Sequence, residues 1–251
     1  MVTFRVRQRN RLVSLQMRQR GHKQGDIRIV RAKPGAIRVR KVVSRSNARP
    51  TTKFASVKMC RMMQAESDGE LAAFRLFDTD RSVKAFHEQP MSIFYWMHGM
   101  LRRHDPDILV ERHEQTLGEV NEVKTEKDAL RPEIAERTGY LIENLPRFGF
   151  TYRLLISENL KRHPFLKSAN ALRYHSNGVR VGELAREQIR AILGAKKFIT
   201  WAAAEKGLIG RFGRSVLCRL TLEGFLDFDR SKPLNSATRF YLATSTRGLR
   251  L

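Results

Sequence analysis

Apolar residues recur at helical spacing within residues 65–86. Leu71, Phe74 and Phe77 lie three positions apart, as residues on one face of a helix do. Ser67 and Glu70 precede them with the spacing of a capping box, in which the two side chains satisfy free amides at a helix start. The pattern therefore predicts a helix from about residue 68 to residue 79.

Apolar runs after this helix predict a sheet. A helical segment, residues 131–148, closes at Gly149 and separates the strands. The predicted strands are two in residues 87–111, which turn at His98-Gly99, one in residues 118–126 and one in residues 151–157. A strand that returns after a helix is typical of a mixed α/β sheet, and this is the predicted fold class.

The region after His175 has a different pattern. Glycines separate three short segments with helical spacing, residues 182–194, 195–207 and 210–224. Residues 225–245 then predict two strands around a Ser-Lys-Pro turn. Three helices followed by a two-stranded hairpin predict a winged helix-turn-helix.

Charge divides the chain further. Residues 1–58 contain seventeen Lys or Arg and one acidic residue, Asp26, and so hold +16 of the net charge of +23. A field of this size favours a polyanionic partner, namely DNA, RNA or an anionic membrane. We expect three segments: a basic N-terminal arm (residues 1–55), an α/β domain (56–176) and a winged-helix domain (177–251).

Within the arm, residues 27–43 alternate isoleucine or valine with arginine around a Lys-Pro-Gly turn. This pattern predicts a two-stranded ribbon with a basic face that lies along phosphates, although such charge runs are also often disordered tails. The candidate DNA contacts in the arm are Arg28, Arg31, Arg38, Arg40 and Lys41.

Several functional classes are not indicated. The chain has two cysteines, Cys60 and Cys218, and neither stands in a CxxC or CxxH motif. The sequence thus predicts neither a disulfide framework nor a structural zinc site. It also contains no apolar run long enough to span a membrane and no export signal, so a cytoplasmic, nucleoid-associated protein is expected.

A candidate metal site lies among the predicted strands. In a strand, residues i and i+2 point the same way, so Glu122 and Lys124 share a face. Asp107, on the neighbouring strand, can lie beside them, and Glu70 is a natural third carboxylate. Such carboxylates attract a hard cation such as Mg²⁺, with Mn²⁺ as an alternative, and two ions are expected. The cation would activate water against a phosphodiester, and Lys124 would orient that water or stabilise the transition state.

These residues match the motif of the PD-(D/E)xK nucleases, with PD at residues 106–107 and ExK at residues 122–124. A longer stretch, ESDGELAAFRLFDTDRSVKAFHEQP at residues 66–90, resembles the start of the TnsA family of transposon end-cleaving endonucleases. YRLLISENLKRHPFLKSANALRYH, residues 152–175, resembles the family's closing segment. The resemblance covers roughly residues 56–245 and implies a restriction-endonuclease-like core followed by a winged helix.

By this resemblance, the catalytic glutamate of the family's helix falls on Glu70, its P-D aspartate on Asp107, its ExK acid on Glu122 and its lysine on Lys124. The first three would be the metal ligands. Arg81 stands where the family often has proline, and this departure touches none of the implied ligands.

The resemblance also implies an activity and partners. Such a chain would nick the 5′ strands at transposon ends, while a DDE transposase of the TnsB kind cuts and joins the 3′ ends and an AAA+ protein of the TnsC kind regulates both. Two alternatives stay open: a stand-alone PD-(D/E)xK restriction or repair nuclease, and a non-catalytic DNA-binding assembly subunit.

Residues near the site and in the winged helix have competing interpretations. His98 and His104 are expected to be surface or turn histidines, and Glu119 a surface acid. Arg211 and Arg214, on or just before the third C-terminal helix, stand where a helix-turn-helix protein contacts DNA. Many winged helices bind proteins instead, so the pattern does not decide between the two.

Overall fold

A computed structural model describes residues 26–32, 38–39, 51–162 and 164–243 of the chain. Its helices are α1 (Asp68–Thr79), α2 (Glu126–Ala129), α3 (Pro132–Asn144), α4 (Ser157–Leu160), α5 (Phe165–Ser176), α6 (Glu183–Lys196), α7 (Trp201–Glu205) and α8 (Gly213–Leu222). Its strands are β1 (Ile27–Arg31), β2 (Thr52–Ser56), β3 (Arg61–Ala65), β4 (Val83–Glu88), β5 (Met91–Met97), β6 (Met100–His104), β7 (Ile108–Arg112), β8 (Gly118–Lys124), β9 (Phe150–Ile156), β10 (Ile199–Thr200), β11 (Leu226–Asp227) and β12 (Arg239–Leu242). The predicted mixed α/β class is confirmed, and no helix among the described residues is long and apolar enough to cross a membrane.

The chain divides into two compact units. The first contains the residues up to Leu71 together with Lys84–Glu158, and the second contains Ala72–Val83 and Asn159–Leu251. All four candidate catalytic residues belong to the first unit. The domain boundaries at residues 56 and 177 stay predictions.

The first unit has a four-stranded sheet in the order β4-β7-β8-β9. Strand β8 pairs antiparallel with β7 and parallel with β9. Its residues Glu119–Val123 are all buried, as expected of a strand covered on both faces. The predicted helix at residues 68–79 and the predicted helix closing at Gly149 are both confirmed.

The prediction of two strands in residues 87–111 is wrong in part, because the structure has three. The hairpin at His98-Gly99 is confirmed, with Met97 opposite Met100. However, β6 ends at His104 in a sheet of order β1-β5-β6, while β7 lies in the four-stranded sheet. Pro106 stands between the two strands, and proline cannot donate to a strand ladder, which explains the break.

Part of the basic arm is folded. Strand β1 pairs antiparallel with β5, with Ile27 opposite Tyr95 and Arg31 opposite Met91. Ile27 and Val30 are buried, so the interpretation as a disordered tail is wrong for this stretch. The rest of the predicted ribbon, residues 33–37 and 40–43, lies outside the described residues.

A hydrophobic core fixes helix α3 against the sheets of the first unit. Met91, Ile93 and Tyr95 of β5 share this core with Leu141 of α3 and with Tyr152 of β9. The polar residues of α3 one or two turns before Leu141 are thereby held near strand β8. This arrangement matters for the site because it brings in Arg137.

Gly69 allows the start of α1 to approach the same strands closely. A Cβ atom at this position would lie 2.8 Å from Val123 Cγ1 and 2.8 Å from Ser157 Oγ. These distances are too short for any side chain without movement of the neighbours. The close approach brings the next residue, Glu70, to the end of β8.

The second unit includes α5 and, after it, the elements α6, β10, α7, α8, β11 and β12, and its small sheet has the order β10-β12-β11. The three predicted helices and the two predicted strands are confirmed. The second helix is much shorter than its segment because Lys197 ends α6 in a left-handed conformation, and Thr200 begins α7 by accepting a hydrogen bond from the Ala203 amide at 3.1 Å. Residues Ile199 and Thr200 between them form the unpredicted strand β10.

The substitution Gly69→Ala is expected to lower the free energy of unfolding by about 1–3 kcal/mol, because the added methyl overpacks the contact with Val123 and Ser157. Gly139→Ala is the matched control, since a Cβ there meets nothing within 4 Å and alanine suits a helix better. Urea denaturation of both variants measures the difference. Equal destabilisation by both would contradict the packing described for Gly69.

Candidate active site

Asp107 lies just before β7 and is held by the edge of β8. Its carboxylate accepts a hydrogen bond from the Val123 amide at 2.7 Å, and its own amide donates to the Asn121 carbonyl at 3.1 Å. The antiparallel pairing of β7 and β8 thus sets Asp107 beside the segment that carries Glu122 and Lys124.

Glu70 enters the site from the first turn of α1. Its amide donates to Ser67 Oγ at 3.1 Å, and Ser67 Oγ donates back to Glu70 Oε1 at 3.2 Å. Glu70 Oε2 accepts from the Glu66 amide at 2.9 Å. The predicted capping signature is therefore present, and it orients the Glu70 carboxylate as well as starting the helix.

Glu122 and Lys124 share a face of β8 as predicted. Lys124 Nζ lies 2.9 Å from Glu122 Oε1. The Glu122 side chain is only 4% exposed, whereas that of Lys124 is 30% exposed. Lys124 consequently carries its charge at the rim of the site, while Glu122 lies beneath it.

Three further side chains surround Glu122. Arg137 Nη2, from α3, lies 2.7 Å from Oε1 and 2.6 Å from Oε2. Tyr152 donates its hydroxyl to Oε2 at 2.6 Å. His104 Nε2 lies 3.1 Å from the Tyr152 oxygen, and since the tyrosine proton is directed to Glu122, this nitrogen must be the donor.

The sequence-based interpretation missed this cluster. His104 is buried, at 6% exposure, so the expectation of a surface or turn histidine is wrong for it. His98 does lie exposed in a turn, where it pairs with Glu136. Glu119 is also buried, with Arg153 at 3.3 Å and Arg112 at 3.5 Å, so the expectation of a surface acid is wrong. Arg137 and Tyr152 carry no local signal that marks them, because their positions depend on long-range packing.

The carboxyls of Glu70 and Asp107 hold protons more tightly than usual. Burial, followed by the negative charge of Glu70, raises the pKa of Asp107 to about 7. Burial, followed among the charges by Glu66, raises the pKa of Glu70. Lys124 acts in the opposite direction on both groups. The four candidate catalytic residues are thus close enough to interact. The positive charge of Lys124 is not enough to bring the pKa values of Glu70 and Asp107 back to their usual range.

Glu122 behaves in the opposite way. Burial alone would raise its pKa, but His104, Lys124, the Tyr152 hydroxyl and Arg137 together hold it at about 2. Burial lowers the pKa of His104 to about 4, so this ring is neutral at physiological pH and the permanent positive charges beside Glu122 are Lys124 and Arg137. Glu122 therefore has more positive charge beside it than one carboxylate needs, whereas Glu70 and Asp107 have less than two carboxylates need.

This asymmetry decides which residues fit a metal ion. Glu70 is buried and Asp107 is partly buried, both carboxyls have too little positive charge beside them, and such a donor pair suits a hard divalent cation. The oxygens of Glu122 are instead engaged by arginine, lysine and tyrosine donors. Within residues 26–32, 38–39, 51–162 and 164–243, no group of three or more His, Cys, Asp or Glu side chains is arranged to hold a metal ion.

The candidate DNA contacts of the arm have different surroundings. Arg28 and Arg31 are exposed on β1, and the Arg31 guanidinium lies 5.1 Å from the centroid of the Phe150 ring. Arg38 contacts Gln64 and lies 3.7 Å from the buried Glu88, which gives it a structural role inside the first unit. Arg40 and Lys41 lie outside the described residues.

The candidate contacts of the third C-terminal helix also differ from each other. Arg211 is exposed and lies over the Phe212 ring, at 5.6 Å from its centroid. Arg214 forms an ion pair with Glu205 at 2.9 Å. Both side chains are accessible. Of their two positive charges, that of Arg214 is paired with the Glu205 carboxylate.

Asp107→Asn is expected to stabilise the metal-free protein at alkaline pH. The folded chain keeps the Asp107 proton up to about pH 7, whereas an unfolded aspartate releases it near about pH 4. The free energy of unfolding of the wild type therefore falls as pH rises through this window, and asparagine removes the loss. We expect a gain of at least about 1 kcal/mol at pH 8 and a smaller one at pH 5.

Urea denaturation in the presence of a chelator measures this gain at both pH values. Asp105→Asn is the control, because Asp105 pairs with Arg103 at 2.7 Å and its loss should bring no gain. A variant at position 107 that is less stable than the wild type at pH 8 would contradict the charge balance described for the site.

Comparisons with known proteins complete the description of the site. The chain matches no protein-family model. A comparison with curated proteins also found no match.

Proposed function

We propose that the chain is a metal-dependent DNA endonuclease, a phosphodiester hydrolase that acts as the end-cleaving subunit of a TnsABC-type transposase and nicks the 5′ strands at transposon ends. One observation carries this proposal: burial and nearby negative charge raise the pKa values of Glu70 and Asp107, and the positive charge of Lys124 acts on both carboxyls. Such a cluster is costly for stability and is expected where a cation and a phosphate are to be bound.

Each residue has a role in this proposal. Glu70 and Asp107 would hold Mg²⁺ or Mn²⁺, and the bound cation would neutralise the scissile phosphate and lower the pKa of a water molecule. Lys124, partly exposed and fixed by Glu122 at 2.9 Å, would donate to a phosphate oxygen or orient the attacking water. Asp107 and Glu70 would give up their protons when the cation arrives.

The order of secondary structure supports the proposal in both units. The first unit joins antiparallel and parallel pairings at one central strand, β8, and the site lies at the end of that strand, as in a restriction-endonuclease-like core. In the second unit, the elements after α5 have the order helix, strand, helix, helix, strand, strand, which is the order expected of a winged helix. Both modules commonly act on DNA, although fold alone does not decide function.

A basic cleft in the second unit supports contact with a polyanion. The cleft has a volume of about 470 Å³, and its charged lining residues are Lys197, Lys232, Arg239 and Asp229. Asp229 lies 3.2 Å from Lys232, so the lining keeps a positive balance. The Arg239 guanidinium lies 4.4 Å from the centroid of the Phe198 ring, a contact that fixes its direction. These side chains and Arg211 would contact a DNA backbone, and Arg28 and Arg31 of the first unit would make DNA contacts of their own.

The partners follow from the proposed activity. An enzyme that nicks only the 5′ strands needs a second enzyme at the 3′ ends, and we propose a DDE transposase of the TnsB kind, with an AAA+ regulator of the TnsC kind. The substrate is double-stranded DNA at transposon ends, and the place of action would be the bacterial nucleoid in the cytoplasm.

The test is cleavage of labelled duplex DNA that carries the ends of the element encoding the chain. We expect cleavage at the 5′ strand that requires Mg²⁺ and the partner transposase. Asp107→Ala should lower the rate at least about 100-fold, since it removes a group that binds the cation. Asp105→Ala, two residues away, should leave the rate unchanged.

The outcomes separate the alternatives. Cleavage without a partner would identify a stand-alone nuclease. DNA binding together with identical products from wild type and Asp107→Ala would leave a non-catalytic assembly role and overturn the proposal.

A further inference from the structure

Glu122 has no free carboxylate oxygen with which to receive a metal ion. Arg137 Nη2 lies within 2.7 Å of both oxygens, Lys124 Nζ lies 2.9 Å from Oε1, and the Tyr152 hydroxyl donates to Oε2 at 2.6 Å. A carboxylate that accepts from two permanent cations and a hydroxyl is electrically satisfied. A second divalent cation at this place would meet both positive charges.

Arg137 is also held so that it cannot leave easily. It stands on α3, whose residue Leu141 is fully buried in the core of the first unit, as is Leu145 just after the helix. Its side chain is half-buried, and the pair with Glu122 raises its pKa against the effect of burial. Moving the guanidinium away would leave a buried carboxylate and a half-buried cation without their partner, which is unfavourable.

The Tyr152 and His104 side chains complete the support from the other side. Tyr152 is buried and donates to Glu122, and the neutral His104 donates to the Tyr152 oxygen at 3.1 Å. Glu122 therefore accepts the last hydrogen bond of a chain that runs from His104 through Tyr152. A residue supported in this way keeps one orientation, as expected of a group that positions its neighbours.

We propose that Arg137 takes the place of a second cation, so that the site binds one divalent ion, on Glu70 and Asp107, and Glu122 acts as the counter-ion that positions Arg137 and Lys124. Two ions and a metal-binding Glu122 are expected from the sequence, and this inference replaces both expectations. It rests on the proposed function, because it assumes that the site binds a divalent cation.

In this arrangement the two halves of the site have separate tasks. The Glu70 and Asp107 pair supplies the negative charge that attracts one mobile cation. The Glu122 cluster supplies two fixed positive charges, from Lys124 and Arg137, whose binding needs no ion from solution. The phosphate would thus meet a mobile cation on one side and fixed cations on the other.

The test counts Mn²⁺ ions bound per full-length chain, with free Mn²⁺ measured by electron paramagnetic resonance during titration. We expect one ion for the wild type. Glu122→Gln should still bind one ion, because Glu122 is not a ligand. Asp107→Asn should weaken binding at least about tenfold, because it is a ligand.

Arg137→Gln provides the converse experiment. It removes the guanidinium that contacts both Glu122 oxygens, so the variant should bind a second, weaker ion. Arg131→Gln, which removes an exposed arginine paired with Asp128 at the start of α3, is the matched control and should bind one ion. Circular dichroism and thermal melting verify that each variant is folded. If Glu122→Gln does not fold, Arg137→Gln still tests the inference.

Each result decides the question. Two ions in the wild type, reduced to one by Glu122→Gln, would overturn the inference and leave the proposed nuclease intact. No ion bound by the folded wild type at millimolar Mn²⁺ would overturn the proposed function as well.

Discussion

The placing of the Glu70 and Asp107 carboxyls close together, with little access to water, is the constraint on which the candidate site depends. Three independent elements bring these groups together: the capped start of α1, the strand pairing of β7 with β8, and the close approach allowed by Gly69. Burial and mutual repulsion raise the pKa of Asp107 to about 7. A fold that maintains such a pair without function would gain stability by losing either charge, and this is the physical argument for a binding site.

The neighbouring Glu122 shows how the same strand can carry the opposite balance. Only Val123 separates Glu122 from Lys124 in sequence, yet Glu122 is surrounded by Arg137, Lys124 and Tyr152 and remains ionised. The three acids of the motif therefore do not form one equivalent set. Glu70 and Asp107 lack sufficient positive charge beside them, whereas Glu122 is already paired with Arg137 and Lys124. A single motif in sequence thus corresponds to two electrostatic environments in space.

Local signals predicted the parts of this site that depend on neighbouring residues. The Ser67 and Glu70 spacing predicted the capped helix, and the alternation along β8 predicted the shared face of Glu122 and Lys124. The break between β6 and β7 was missed, although Pro106 signals it, because an apolar run continues on both sides. Arg137, Tyr152 and His104 could not be predicted, since their positions depend on the packing of α3 and β9 in a common core and on the pairing of β6 with β5. The pairing of β1 with β5 is likewise a long-range contact, and the basic composition of the arm does not predict it.

The most direct test of the central claim is the titration of Asp107 itself, followed by NMR of protein with ¹³C-labelled aspartate carboxyls and assigned with Asp107→Asn. The account predicts that the pKa of Asp107 is about 7 in metal-free protein. Saturating Mg²⁺ should lower that pKa to below about 5, because the bound cation favours the ionised carboxylate. An Asp107 pKa near about 4 without metal, or one that Mg²⁺ does not change, would contradict the claim that this pair is built to bind a cation.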